Sequence, residues 1–233
     1  FNILDVPLEV RMHLAVGTSL AVIIPTSLRS VQSHYKHGAV DMDVLRRVGP
    51  AVLAGVLTGI VVASFVQAAV LKVVYILTNG LMAINLYFGR GRWNLGTEMP
   101  GRAIDRGVGW LIGTVSALVG IGGGVQLTTY MTLYGRKIHQ AVATGAGVGP
   151  IIAIPGALGY VWAGWDQASL LPPGSFGYVS LLGVAIIGPA SVLAAPVGVR
   201  VAHGLPRRTL EVAFAIFLML MAMRFLVSLF FQV

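Results

Sequence analysis

Cysteine is absent from the 233 residues, so neither a disulfide nor a thiolate metal site can form. Charge is scarce: Asp, Glu, Lys and Arg make up 10% of the chain, against about 25% in an ordinary soluble domain. Acidic residues number eight, and no group of Asp, Glu and His has metal-ligand spacing. Neither G-x-S-x-G nor H-E-x-x-H occurs. These shortages exclude a soluble globular domain and argue against an enzyme; no cofactor and no metal are expected.

Apolar sequence fills the gap. The hydrophobic fraction is 56% and the mean hydropathy +0.84. Long runs such as Val48–Phe65, Phe176–Val199 and Leu210–Phe231 suffice to span a bilayer core of about 30 Å. The fold class expected is an all-α integral membrane protein. Its candidate spans are His13–Val31, Val48–Phe65, Ala69–Phe88, His139–Val161, Phe176–Val201 and Arg208–Phe231. The net charge of +8 sits in short loops between these spans, which fits topology-setting charge rather than a nucleic-acid face. The acids Asp41, Asp43, Glu98, Asp105 and Asp166 also read as loop residues.

Internal similarity organises the spans. His13-Leu14-Ala15-Val16-Gly17-Thr18 matches His139-Gln140-Ala141-Val142-Ala143-Thr144, and Met82-Ala83-Ile84-Asn85-Leu86 matches Met221-Ala222-Met223-Arg224-Phe225, with Gly59 and Gly198 in register. Two halves follow: residues 1–90 with three spans, and residues 107–233, joined by a cytoplasmic connector at 91–106. The second half opens with an extra apolar segment, Val108–Tyr134, broken at Gly120-Ile121-Gly122-Gly123-Gly124. An equivalent glycine-broken segment of roughly 25–30 residues is expected ahead of Phe1. If Val108–Tyr134 is a re-entrant hairpin, thirteen Lys and Arg side chains gather on one side and two, Arg11 and Lys72, on the other, with Arg224 inside the last span. That bias selects the hairpin over a crossing helix. A hairpin plus three spans reverses orientation between halves, giving inverted repeats of the kind that support alternating access.

Four glycines in the five residues Gly120–Gly124 are costly in a helix, at about 1 kcal/mol each. Helix ends meeting there would offer N–H groups and a positive dipole end to an anion. Close helix packing is the plainer alternative. Candidate substrate-binding residues are Gly122, Gly123, Gly124 and Gln126 at this break, Gly17, Thr18 and Ser19 in the first half, and Thr144 and Gly145 in the second. Hydroxyl bonding to the helix backbone is the bland reading of the threonines. Arg224 is a candidate counter-charge, although only nine residues follow it, and snorkelling to the surface competes. His13 and His139 sit at span entrances, where helix-end roles compete with proton transfer.

Gly120-Ile121-Gly122-Gly123-Gly124 together with Ala141-Val142-Ala143-Thr144 and Ala15-Val16-Gly17-Thr18-Ser19 resembles the sulfite exporter TauE/SafE family. The resemblance covers nearly the whole chain. It implies two related halves, each with a G-x-G-G-G segment and an A-x-G-T-S helix start, and export of sulfite or a related small sulfur-containing or carboxylate anion. The first-half glycine motif is not in this sequence, and Ala143-Thr144-Gly145 stands where the family pattern has Gly-Thr-Ser. The expected localisation is a bacterial inner membrane. The expected partners are the small anion, the lipid bilayer and a second copy in a homodimer, without nucleic acid. Import, channel-like uniport and a non-transporting scaffold are the competing functions.

Overall fold

The computed structural model describes residues 6–36, 38–88, 95–204 and 207–231. Its helices are α1 (Leu8–Lys36), α2 (Met42–Phe65), α3 (Ala68–Phe88), α4 (Arg102–Val119), α5 (Gly124–Leu133), α6 (Ile138–Ala163), α7 (Leu181–Gly204) and α8 (Arg207–Phe231). A short 3-10 helix (Trp165–Leu170) and an antiparallel two-stranded ribbon, β1 (Ser175–Phe176) with β2 (Val179–Ser180), connect α6 to α7. Within α1, α2, α3 and α6, the stretches Leu8–Tyr35, Met42–Phe65, Ala68–Asn85 and His139–Ala163 are long and apolar enough to cross a membrane. Helix α6 is the most enclosed, with 61% of its span buried, so it forms the centre of the bundle. Leu14 and Leu20 of α1, Val52 and Val56 of α2, and Val148 and Ile152 of α6 form the buried core.

Small residues set the tightest seam. A Cβ on Gly109 would lie 2.7 Å from Val48 Cγ1, and one on Gly59 would lie 2.8 Å from Ala117 Cβ. Gly55 and Gly113 press equally closely on the opposite backbone. Lipid gives no hydrophobic drive for two helices to associate, so close backbone approach through small residues supplies the contact energy instead. The Thr114 hydroxyl adds a hydrogen bond across the seam to Gly55 O (3.1 Å). At the other side α3 and α8 run antiparallel. Lys72 Nζ donates to Ser228 Oγ (2.9 Å), the rings of Tyr75 and Phe225 lie 4.5 Å apart, and Arg208 donates to Tyr87 O.

The apolar segment Val108–Tyr134 is a helical hairpin. Helix α4 ends at Val119, α5 starts at Gly124, and Tyr130 Oη donates to Asp105 Oδ1 at 2.7 Å. Asp105 opens α4 and Tyr130 lies near the end of α5, so the chain folds back and its two ends are neighbours. Leu95 N donating to Leu133 O (2.8 Å) closes the same base.

Several sequence expectations change. Three acids leave the loops: Asp43 lies in the first turn of α2, Asp166 in the 3-10 helix, and Asp105 in the first turn of α4, buried to 1% exposure. Helix α4 therefore takes the last residues of the expected connector. The span expected from Phe176 starts at Leu181, because Gly174 and Gly177 adopt positive φ and turn the chain into the ribbon. Hydropathy counts Phe176, Tyr178 and Val179 as span, yet Tyr178 N bonds Tyr160 O (3.0 Å) as part of a packed loop. Arg90 and Arg92 of the connector, the backbone of Phe1–Asp5 and the side chains of Arg200 and Arg207 lie outside the described residues.

Candidate functional site

The hairpin tip brings a helix C-terminus and a helix N-terminus together. Gly120 (φ 78°) caps α4 and Gly123 (φ 67°) precedes α5, both in the left-handed region that a side chain makes costly. Part of the negative end of α4 is bonded. Ser116 O accepts from Gly120 N (2.9 Å) and Ile121 N (3.1 Å), Ala117 O from Tyr160 Oη (3.1 Å), and Gly120 O from Ser19 Oγ (2.8 Å). The positive end of α5 is not. The first intrahelical donor is Leu127 N, bonding Gly123 O at 3.1 Å, and no side chain caps the N–H groups of Gly124, Val125 and Gln126. An uncapped helix start presents donors and a partial positive charge to an anion.

Ser116 strengthens this reading, and nothing in the sequence had marked it. It is fully buried, its Oγ lacks a hydrogen-bond partner, and that oxygen lies 3.1 Å from where a Cβ on Gly123 would sit. A buried hydroxyl without a partner costs about 1–3 kcal/mol, which a ligand at the tip would relieve. The available signal was a lone serine in the apolar run Leu111–Val119, one helical turn before the glycines.

The predicted residues divide into two groups. Gly122, Gly123, Gly124 and Gly145 meet at the tip. Gly122 faces Ile23 and Gly149, Gly123 is wedged against Ile112 and Ile152, and Gly124 lies backbone to backbone on Gly145. Ser19 reaches the tip as well, but its proton goes to Gly120 O, so it fixes the loop. The others lie elsewhere. Gly17 packs on Tyr160 and the Tyr178 carbonyl. Thr18 Oγ1 accepts from Ser180 N (3.0 Å), while Thr144 Oγ1 accepts from Asp41 N (2.9 Å) and donates to Gln140 O (2.8 Å). Asp41 and Ser180 in turn cap α2 and α7 through Val44 N and Gly183 N, each at 3.1 Å. Arg136 stands 3.9 Å from Asp41, and Gln140 donates to the same carboxylate at 3.2 Å.

Arg224 is exposed on α8, off the buried stripe of Ala215, Leu218 and Ala222 that packs the helix. Of the two histidines, His13 is buried, with Nε2 3.1 Å from Ala63 O and its ring stacked on Tyr178 (centroids 5.1 Å apart), whereas His139 is exposed. Burial in the connecting ribbon pushes the Tyr178 phenol pKa up. Gln126, in the first turn of α5, lines a cavity of about 390 Å³ between α3, α4 and α5. Among the described residues no cluster of His, Asp and Glu is arranged to hold a metal ion.

The family model for sulfite exporter TauE/SafE matches residues 3–225. The chain belongs to this family. A probable membrane transporter protein of Haemophilus influenzae is 30% identical over 94% of this chain and 83% of its own length. Probable membrane transporter proteins of Methanocaldococcus jannaschii and Bacillus subtilis are 26% and 29% identical, over 84% and 70% of this chain and 70% and 69% of their own. No solved structure matches. This TauE/SafE member is thus a multi-pass membrane transporter, and the glycine break that marks it in sequence is its helical hairpin tip in space.

Proposed function

We propose that this TauE/SafE protein is a secondary transporter that exports sulfite, or a related small sulfur-containing or organic oxyanion, across the inner membrane. The anion sits at the tip of a re-entrant hairpin formed by α4 and α5. The uncapped start of α5 beside the unpartnered Ser116 hydroxyl carries this reading. No side chain caps the first N–H groups of α5, whereas Ser116 O, Ala117 O and Gly120 O each accept a hydrogen bond. Open N–H donors at a helix start favour a negative ligand over a cation. Gly122, Gly123, Gly124 and Ser116 would contact the anion. Ser19 and Gly145 position the tip, and Thr18 and Thr144 tie the halves together.

Alternating access through inverted repeats, residues 1–90 and 107–233, completes the mechanism. Two reciprocal hydrogen bonds support it. Thr18 and Thr144 are repeat counterparts, and Asp41 and Ser180 stand 139 positions apart, the offset that aligns Met82 with Met221. Thr18 holds Ser180 N and Thr144 holds Asp41 N. Each half thus grips the helix cap of the other in the same way, as a pseudo-two-fold axis requires. Rocking one half on the other would expose the tip to either face.

Sulfite flux into proteoliposomes tests the reading. The wild type should show saturable flux. Gly123→Leu should abolish it, since the new side chain would enter the space of Ile152 and Ser116. Ser116→Ala should keep the fold and raise the half-saturation concentration about tenfold or more, as expected for one hydrogen bond to a charged ligand. Undiminished flux in both variants would remove the anion from the tip.

A further inference from the structure

His13 is a buried titratable group that anion binding at the hairpin tip leaves unused. It lies five residues past Leu8, the first residue of α1, at 7% exposure. Its Nε2 is 3.1 Å from Ala63 O of α2. A carbonyl oxygen only accepts, so Nε2 carries the proton and Nδ1 the lone pair. That Nδ1 is buried without a hydrogen-bond partner. The ring is therefore neutral, anchored by one nitrogen and unpartnered at the one that takes up a proton.

Among the described residues no charged side chain is paired with the ring. Glu9, one turn back on α1, is exposed, and Arg11 donates to Val6 O. Lys72 of α3 donates to Ser228 Oγ, and Asp166 of the 3-10 helix is exposed. Beyond Arg47 in α2 and before Arg200 in α7 the sequence has no charge. The remaining titratable neighbours are phenols, Tyr178 of the ribbon and Tyr160 of α6, and Tyr160 Oη donates to Ala117 O. An imidazolium sealed here would lack both water and a counter-charge, whereas a hydrated imidazole charges readily within the physiological pH range.

The place of the ring gives that difference a use. His13 stacks on Tyr178 of the second half, with centroids 5.1 Å apart. Further along α1, Gly17 packs on the Tyr178 carbonyl and Thr18 Oγ1 holds Ser180 N. These contacts make one joint between the halves, at the end of α1 that the Lys and Arg bias puts outside. The matching joint, Thr144 with Asp41, has His139 on the same helix, but that ring is exposed. Parting of the outer joint would withdraw Tyr178 and let water reach Nδ1.

We infer that His13 is a proton-binding site of the transport cycle. Its Nδ1 takes a proton from the outer solution as α1 and the ribbon part, so external acidity favours the outward-open state. The step is a protonation alone, with solvent as the donor. The charge is hydrated when the joint is open and stranded when it is closed, which sets the direction. This inference rests on the reading of alternating access between the halves.

Sulfite flux in proteoliposomes, with equal pH on both sides from about 5.5 to about 8, tests the site. The quantity read is the ratio of wild type to His13→Gln, in which the changing ionisation of sulfite cancels. Gln keeps an amide donor for Ala63 O and takes no charge. The ratio should stay near one at the alkaline end and rise about fivefold or more at the acid end, while His139→Gln should give a constant ratio. A constant ratio for His13→Gln, or the same curve for both variants, overturns the proton site. If His13→Gln fails to fold, the cysteine-free chain allows the joint to be read directly. Val179→Cys puts a thiol at a buried ribbon position and Phe176→Cys puts one at an exposed position. Labelling of the first by a membrane-impermeant maleimide, relative to the second, should rise about fivefold on acidification, and an unchanged relative rate overturns the proposal. Absence of wild-type sulfite flux at every pH would instead remove the transporter reading beneath it, so the two failures are distinguishable.

Discussion

Helix α2 buries Val48, Val52 and Val56 against its neighbours, whereas α7 leaves Ile187 and Leu193 at 51% and 76% exposure. The two helices share a local pattern, Val48-Gly49-Pro50-Ala51 in one and Ile187-Gly188-Pro189-Ala190 in the other, at the same 139-residue offset that relates Asp41 to Ser180. Each also carries small residues every fourth position, Ala51, Gly55 and Gly59 against Ala190, Ala194 and Gly198. The difference lies in what faces them. Helix α2 meets a second such stripe, Gly109, Gly113 and Ala117 of α4, and the two backbones close on each other. The described contacts of α7 are with α1 and the connecting ribbon. A stripe of small residues lets a helix pack closely, but only a matching stripe makes a seam of it.

The largest expected effect tests that asymmetry. Gly113→Leu would drive a side chain into the backbone of Val52, and overpacking of this kind costs about 3 kcal/mol or more. Loss of monodisperse protein on size-exclusion chromatography in mild detergent is the expected result. Ala194→Leu, on the exposed face of α7, should stay within about 0.5 kcal/mol of wild type by thermal denaturation. Equal tolerance of both substitutions would break the comparison and show that α2 and α4 do not depend on close approach.

A smaller effect probes the correspondence of the halves. Thr18→Val strands the buried Ser180 N–H, and Thr144→Val strands that of Asp41. Each should lower stability by about 1–2 kcal/mol, and the two losses should agree within about 0.5 kcal/mol. Agreement sharpens the reading of Thr18 and Thr144 as counterparts. A cost confined to Thr144 would show that Asp41, with Gln140 and Arg136 around it, forms a local cluster unrelated to the other half.

These contrasts also explain what could be read from the chain. Four of the six expected spans were legible because lipid demands long apolar helices, whereas among the described residues α7 and α8 give only the shorter apolar stretches Leu181–Ala194 and Ala215–Leu229; the break at Gly120–Gly124 was legible because adjacent glycines are poor helix formers. Asp105 was not legible. Taken alone it looks like a connector charge, and only folding brings Tyr130 to 2.7 Å and Arg47 to 3.9 Å from its carboxylate. Ser116 was missed for a similar reason, since its value lies in having no partner, a property of the packed neighbourhood. Thr18 and Thr144 were found through the repeat, but sequence pairs residues that are alike and not those that touch. The partners Ser180 and Asp41 share a position between halves and no chemistry, one hydroxyl and one carboxylate.

Arg224 gives the smallest expected effect and the sharpest contrast between counterparts. Asn85, its match in the first half, lines the cavity next to the tip, while Arg224 is exposed on α8 away from the stripe that packs on α3. A cation at mid-membrane costs about 2.5–3.5 kcal/mol or more without a partner, but Arg224 stands seven residues from Phe231, about 10 Å along the helix. Its aliphatic stem can carry the guanidinium to the interface. One turn further along α8, Ser228 already accepts from Lys72 Nζ at 2.9 Å, so that layer holds a cation in the folded protein. Arg224→Gln should therefore leave sulfite half-saturation and maximal flux within about twofold of wild type, any deficit appearing as less protein inserted in the membrane. A tenfold rise in half-saturation with normal insertion would restore Arg224 to the path of the anion, and would mean that the two halves hold it with unlike groups, an amide on one side and a guanidinium on the other.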